Sequence, residues 1–206
     1  MALSTFVKIG GVTNLSDARY CAGMYVDVLG FDMEDHSEKF VNPTQFEEIT
    51  GWVSGVEFAA EFQTETAEYI LQKLEKYPTV SWIQHRSLEV LTELIDSGKN
   101  LIYEVNINEI KHLEAEISDR LANLDIFILL RSPHEKLEED EEESILKISD
   151  KASVLLGSGI TAFNVNALKE KLKLHGIALE GGEEIKPGLK DFDQLAEILE
   201  ELELED

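Results

Sequence analysis

The sequence predicts an α/β fold, a (β/α)8 TIM barrel formed by residues 1–206 as a single compact domain. Three observations predict it. Eight short apolar runs of strand character recur along the chain, a segment of helical period follows each, and each strand–helix unit takes roughly 20 to 28 residues. Repeated strand–helix units imply parallel pairing, and eight of them in 206 residues suit a closed barrel better than an open doubly wound sheet.

The first run, TFVKI at 5–9, stops at Gly10 and Gly11, and Thr13 or Asn14 can cap a helical segment carrying Leu15, Ala18, Ala22 and Met24. VDVLGF (26–31) comes next, then Phe46, Ile49 and Trp52 in helical register. GVEFAA (55–60) precedes Ala67, Ile70, Leu71 and Leu74. VSWI (80–83) precedes SLEVLTELIDSG, an apolar stripe with a glycine stop. LIYEV (101–105) leads into the longer INEIKHLEAEISDRLANL, and IFILL (126–130) into HEKLEEDEEESILKIS, whose first half is nearly all acid. SVLL (153–156) and GIAL (176–179) close the series, followed by NVNALKEKLKLHG and DFDQLAEILEELE, with Asp191 a good N-cap for the last.

The formal charge of −24 argues against sequence-independent nucleic-acid binding, which needs lysine and arginine to displace counterions, and against anionic membranes. Much of it lies in 135–144 and at the C-terminus, where solvated helix faces are expected rather than an interaction tail. No stretch approaches the roughly 18 apolar residues of a membrane span, and the N-terminus reads as a strand rather than a signal peptide, so a cytoplasmic protein is expected. Cys21 is the sole cysteine and reads as core. The five histidines lack ligand spacing, so no metal or other cofactor is expected. Trp52 and Trp82 read as core as well.

A barrel builds its active site from loops after the C-terminal strand ends. Those positions hold Gly10 and Gly11, Asp32, the stretch 36–43, Gln84–His85–Arg86, Arg131–Ser132, GSGIT (157–161) and EGGEEIKPGLKD (180–191). Small residues in the last two loops let the backbone approach an anion, so Ser158, Gly159, Gly181 and Gly182 are the candidate phosphate cradle. Lys8 shares the inward face of Gly10 and needs a charged partner there; a glutamate is expected, with Glu57 and Glu104 lying within strands.

Five motifs in order resemble the phosphoribosylanthranilate isomerase family. VKIGGVTNLSDA is similar to the family's VKICGITxxxDA, and VLGFDM…HSEKFVNP to its LGFVF…SPRYVSP. LLRS stands where the family has LLD, GSGITAFNV resembles AGGLTPENV, and GGEEIKPGLKD resembles SGVExxPGxKD. The resemblance implies a (β/α)8 barrel and an aldose–ketose isomerase of tryptophan biosynthesis. That activity is the Amadori rearrangement of N-(5-phosphoribosyl)anthranilate to the carboxyphenylamino-deoxyribulose phosphate. A general acid opens the sugar ring and a general base removes the C2′ proton. By resemblance the base position is Gly10 and the acid position Arg131, neither of which can play the family's role. Asp32, Glu180 and Glu183 are candidate replacements. Lys39 matches an arginine that holds the anthranilate moiety, Arg86 lies in QHRS, which stands where the family has QLHG, and Ala178 matches an aspartate. The glycine-rich stretch the family carries after strand 6 is absent. Two classes follow: an isomerase with substituted acid and base, or a non-catalytic binder of a phosphorylated metabolite or partner enzyme that keeps the phosphate cradle. The expected partner is a phosphorylated small molecule, and the expected state a monomer or homodimer.

Overall fold

The computed structural model describes residues 2–204 except 182–183, 187–188 and 191, with the backbone alone at 184–186 and 189–190. In chain order it comprises β1 (Phe6–Gly10), α1 (Leu15–Gly23), β2 (Val28–Asp32), α2 (Pro43–Thr50), β3 (Glu57–Glu61), α3 (Ala67–Leu74), β4 (Trp82–His85), α4 (Leu88–Glu93), β5 (Asn100–Asn106), α5 (Ile107–Ile110) and α6 (Glu114–Leu124). The second part comprises β6 (Ile126–Arg131), α7 (Glu139–Ser149), β7 (Val154–Leu156), α8 (Val165–Lys171), β8 (Gly176–Glu180), a small ribbon of β9 (Glu184–Lys186) and β10 (Leu189–Lys190), and α9 (Asp193–Glu200). Strands β1 to β8 pair in sequence order, and β8 pairs in parallel with β1, so the barrel closes as predicted.

The expected helix starts form through their caps. Asn14 Oδ1 accepts the Asp17 N–H, Asn42 Oδ1 the Gln45 N–H, Thr66 Oγ1 the Tyr69 N–H and Ser87 Oγ the Val90 N–H. Asp191, the expected cap of α9, lies outside the described residues. Three expectations need correction. The long segment after β5 forms two helices, because His112 takes a left-handed backbone (φ 76°) and ends the first. Trp52 is 70% exposed rather than core, since α2 ends at Thr50 and the chain turns outward before it can pack. Several strands also start or end one to two residues later than read; β3 in particular runs on to Glu61.

The acidic segment after β6 forms α7 as a surface helix with one buried acid. Glu141 accepts the Ser132 hydroxyl and the Glu138 N–H, closing a capping box. Asp140 and Glu142 pair with Lys111 and Lys171 of neighbouring segments.

Two apolar layers surround the strands. The larger lies between strands and helices, and the smaller fills the barrel with Val28, Ala59, Trp82, Ile102, Leu129, Leu155 and Ala178. Below these, Phe6, Trp82, Phe127 and His175 plug the N-terminal end with ring centroids 4.9–6.1 Å apart. Aromatic rings thus close the floor of the barrel, and the larger polar cluster lies at the opposite end. Among the described residues no helix is long and apolar enough to cross a membrane.

Candidate active site

Strand side chains alternate between barrel interior and helix layer. Inward-register positions near the C-terminal strand ends are Gly10, Gly30, Glu61, Gln84, Glu104, Arg131, Glu180 and, just past β7, Gly157, with Asp32 and Asn106 one step beyond Gly30 and Glu104. Above this ring opens a cavity of about 390 Å³, lined also by Gly11, Asp32, Lys39 and Arg86.

The centre of the ring is an ion pair. Lys8, 1% exposed, donates to Glu61 Oε1, and the Gly11 N–H donates to Glu61 Oε2 at 3.2 Å. Glu61 is the glutamate that Lys8 requires; Glu57 instead accepts the Trp82 indole N–H at the other end of the barrel. Two glycines make the pair fit. A Cβ at Gly10 would stand 2.8 Å from Glu61 Oε1, and one at Gly30 only 2.0 Å from it and 2.8 Å from Lys8 Nζ. The Glu61 side chain thus reaches from β3 across β2 and fills the space a side chain on residue 10 would need. Burial pushes the Glu61 carboxyl above its ordinary range, and the nearby Glu180 charge adds to this against the pull of Lys8.

Arg131 is the second hub. Its Nε donates to Glu104 Oε1 at 2.9 Å, Nη2 to Glu180 Oε1 at 2.5 Å and Nη1 to the Gly157 carbonyl at 3.3 Å. Glu104, 8% exposed, also accepts from Arg86 at 3.2 Å and from the Gln84 amide at 2.5 Å. Burial alone pushes the Glu104 carboxyl up, but Arg131 and Arg86 together hold it below its ordinary range. The same carboxylates keep the Arg131 guanidinium charged despite its burial.

The remaining candidates fall as follows. Asp32 lines the cavity and also folds the loop beyond β2, accepting the Ser37 hydroxyl at 2.6 Å and the Glu34 N–H at 3.0 Å. Glu34 ties that loop to the end of β3 by accepting the Gln63 and Thr64 N–H groups, each at 2.6 Å. Lys39 extends over the mouth, its Nζ 3.5 Å from the Cβ position of Gly11. Gln84 and Arg86 reach the cavity, whereas His85 turns outward and takes the Ser87 N–H on Nδ1. Ser158 Oγ accepts the Ser132 N–H, joining the loops after β6 and β7. Gly159 adopts φ 73°, and Asn164 holds its carbonyl at 2.8 Å. The Gly181 N–H is engaged by the Gly10 carbonyl at 2.9 Å. Gly182 and Glu183 lie outside the described residues.

Sequence reading missed Glu61 and Gly30. A signal for both exists: Glu57, Ala59 and Glu61 share one face by period two, and a glycine inside a strand marks a close approach.

With this geometry in place, comparison with known proteins is informative. The family model described as N-(5'phosphoribosyl)anthranilate (PRA) isomerase matches residues 7–201. A curated N-(5'-phosphoribosyl)anthranilate isomerase from Gloeothece citriformis is 26% identical over 208 residues, covering 95% of this chain and 93% of its own. The fold is similar to phosphoribosyl anthranilate isomerase from Thermotoga maritima (TM-score 0.76, 21% identity), with coverage of 96% and 98% of the two chains. It is also similar to a phosphoribosyl anthranilate isomerase in complex with reduced 1-(o-carboxyphenylamino)-1-deoxyribulose 5-phosphate (TM-score 0.75, 22% identity, the same coverage). With a model match running from β1 to α9, this chain belongs to the phosphoribosylanthranilate isomerase family.

Proposed function

We propose that this barrel binds a phosphorylated sugar-type ligand at its C-terminal mouth and does not carry out the ring-opening rearrangement of its family. The observation that carries this reading is the Lys8–Glu61 pair, which occupies the volume above Gly10 where the family resemblance puts the base. The acid position points the same way. Arg131 stays charged between Glu104 and Glu180, and a guanidinium does not give up a proton to a ring oxygen at neutral pH. Binding is supported by the open mouth with Lys39 and Arg86 at its rim, and by the small residues Ser158 and Gly159 in the loop after β7; the Gly181 N–H is already engaged by the Gly10 carbonyl. The structural relative that holds a reduced aminoketose phosphate supports the same ligand class.

The test pairs a binding and a turnover measurement on the purified protein. Titration calorimetry with the reduced aminoketose phosphate is expected to show binding, weakened by Gly159→Val, which strains a left-handed backbone position. Loss of phosphoribosylanthranilate fluorescence is expected to run on the order of 10²-fold or more below an active family member, the cost of an absent ring-opening acid. Turnover close to that of the active enzyme would overturn the proposal.

A further inference from the structure

We propose that Glu61 is a proton-transfer base of this mouth, acting on an open-chain phosphorylated α-hydroxy- or α-amino-carbonyl compound. The inference rests on the ligand class proposed above but adds an activity to it.

The first support is placement. Three departures from an ordinary barrel interior act together: Gly10 on β1, Gly30 on β2 and a glutamate on β3 that reaches across both. The result delivers a carboxylate from a different strand to residue 10: Oε1, paired with Lys8, stands 2.8 Å from the Cβ position of residue 10, and Oε2 takes the Gly11 N–H. The second support is access. Lys8 is sealed below the ring at 1% exposure, whereas the Glu61 side chain is 16% exposed and lines the cavity. Among the described residues its Oε2 takes the 3.2 Å bond from the Gly11 N–H, which leaves lone-pair capacity toward the cavity. A pair serving stability alone has no need to present its carboxylate at the mouth.

The third support is what surrounds the carboxylate. Gly11 has Glu61 on its amide side and Glu180 and Lys39 on the other: its N–H meets Glu61 Oε2, and Glu180 Oε2 and Lys39 Nζ stand 3.0 and 3.5 Å from its Cβ position. A carboxylate base beside an ammonium group is the arrangement that enolisation requires. The step balances without an oxidant or co-reactant. The Cα–H bond breaks and the proton passes to Glu61 Oε2. The C–H electron pair forms the C=C bond, and the carbonyl π pair moves onto oxygen as an enolate, next to the Lys39 ammonium. Return of a proton to the same carbon restores the carbonyl compound and regenerates Glu61. Burial raises the proton affinity of this carboxylate, which favours the transfer. No ring is opened, so the acid that Arg131 cannot replace is not needed.

Ribulose 5-phosphate is the probe, because its esterified 5-hydroxyl keeps it open-chain. Solvent deuterium incorporation at C1 is followed by proton NMR, with binding measured by calorimetry on the same samples. The wild type is expected to bind the probe and to accelerate exchange over buffer. Glu61→Gln is expected to lower exchange by about 100-fold or more with binding retained. Glu61→Asp keeps the charge and shortens the reach; it is expected to fall between the two, and it serves if Glu61→Gln does not fold. Binding without exchange overturns the assignment and leaves the proposed binding function standing. Exchange that survives in both variants puts the base elsewhere and also overturns it. Absence of probe binding overturns the ligand class and this inference together.

Discussion

Gly30→Ala tests the site most directly. Gly30 has an ordinary backbone conformation, so alanine adds no torsional strain there and only space decides the outcome. The added methyl would stand 2.0 Å from Glu61 Oε1, 2.6 Å from Glu61 Cδ and 2.8 Å from Lys8 Nζ. Glu61 cannot swing aside cheaply, because Lys8 and the Gly11 N–H fix its two oxygens. Displacing it leaves Lys8 buried without its partner. Breaking a buried pair in this way costs about 3–5 kcal/mol. For a chain of this size that lowers Tm by roughly 6–20 °C. Thermal melts followed by circular dichroism read the effect, with Gly23→Ala as control. No atom lies within 4 Å of a Cβ at Gly23, and α1 gains a better helix former there. Repeating Gly30→Ala in a Lys8→Met/Glu61→Ala background should recover about 2–3 kcal/mol as coupling energy. A Tm drop of less than about 2 °C in the single variant, or no coupling in the cycle, would refute the account of Gly10 and Gly30 as room for the pair.

Three further outcomes are expected. Arg131→Leu removes the main partner of the buried Glu104 and should destabilise by about 3 kcal/mol in urea titrations. Because the folded Glu104 carboxyl lies below its ordinary 4.5, its contribution is present above that pH and lost as pH falls through the depressed value. The variant should therefore lose this acid-side slope, and an unchanged slope would contradict the assignment. Glu61 has the opposite sign. Its folded carboxyl is raised, so its contribution is complete below 4.5 and lost as pH rises through the folded value. The stability of wild type relative to Glu61→Gln should thus decrease as pH rises above 4.5; a flat difference would show that Glu61 does not titrate with folding. Ser132→Ala removes a hydroxyl that bonds the capping Glu141, and should cost about 1 kcal/mol. Faster amide exchange in the first turn of α7 checks it.

The barrel was legible because its signal is repetitive. A strand buried on both faces reads as an apolar run, and eight such runs separated by helical periods admit few architectures. Local caps were legible for the same reason: Asn14 bonds its own helix three residues on. The site was only half legible. Arg131, Glu180 and Arg86 stand at strand ends and do reach the cavity. What linear reading could not supply was which acid meets which base, since that depends on side chains crossing strands. Lys8 announces the need for a partner, yet its partner lies 53 residues away on β3, while Glu57 faces the other end of the barrel. His112 escaped notice because a left-handed residue between two helices leaves no periodic trace. Trp52 misled because three apolar residues at helical spacing do not reveal where the helix ends.

Gly10 and Arg131, the positions that the resemblance matches to the family's base and acid, are each built into their surroundings. Gly10 is tied to Gly30, Glu61 and Lys8 by space, since the pair exists only where both Cβ atoms are missing. Arg131 is tied to Glu104 and Glu180 by charge, since these two carboxylates share its guanidinium. Returning cysteine to position 10 alone would drive its Cβ into Glu61 Oε1 at 2.8 Å. Returning aspartate to position 131 alone would set a third carboxylate beside two whose principal cation had just been removed, leaving Glu104 with Arg86. Each reversion therefore needs its surroundings reverted too: Glu61 and Lys8 in the first case, Glu104 or Glu180 in the second. On the proposed reading, the two positions anchor two ion-pair networks that meet at Glu180, which pairs with Arg131 and also bears on Glu61. The chemistry of this mouth is accordingly to be sought in Glu61, Lys39 and Arg131 rather than in the pair the family uses.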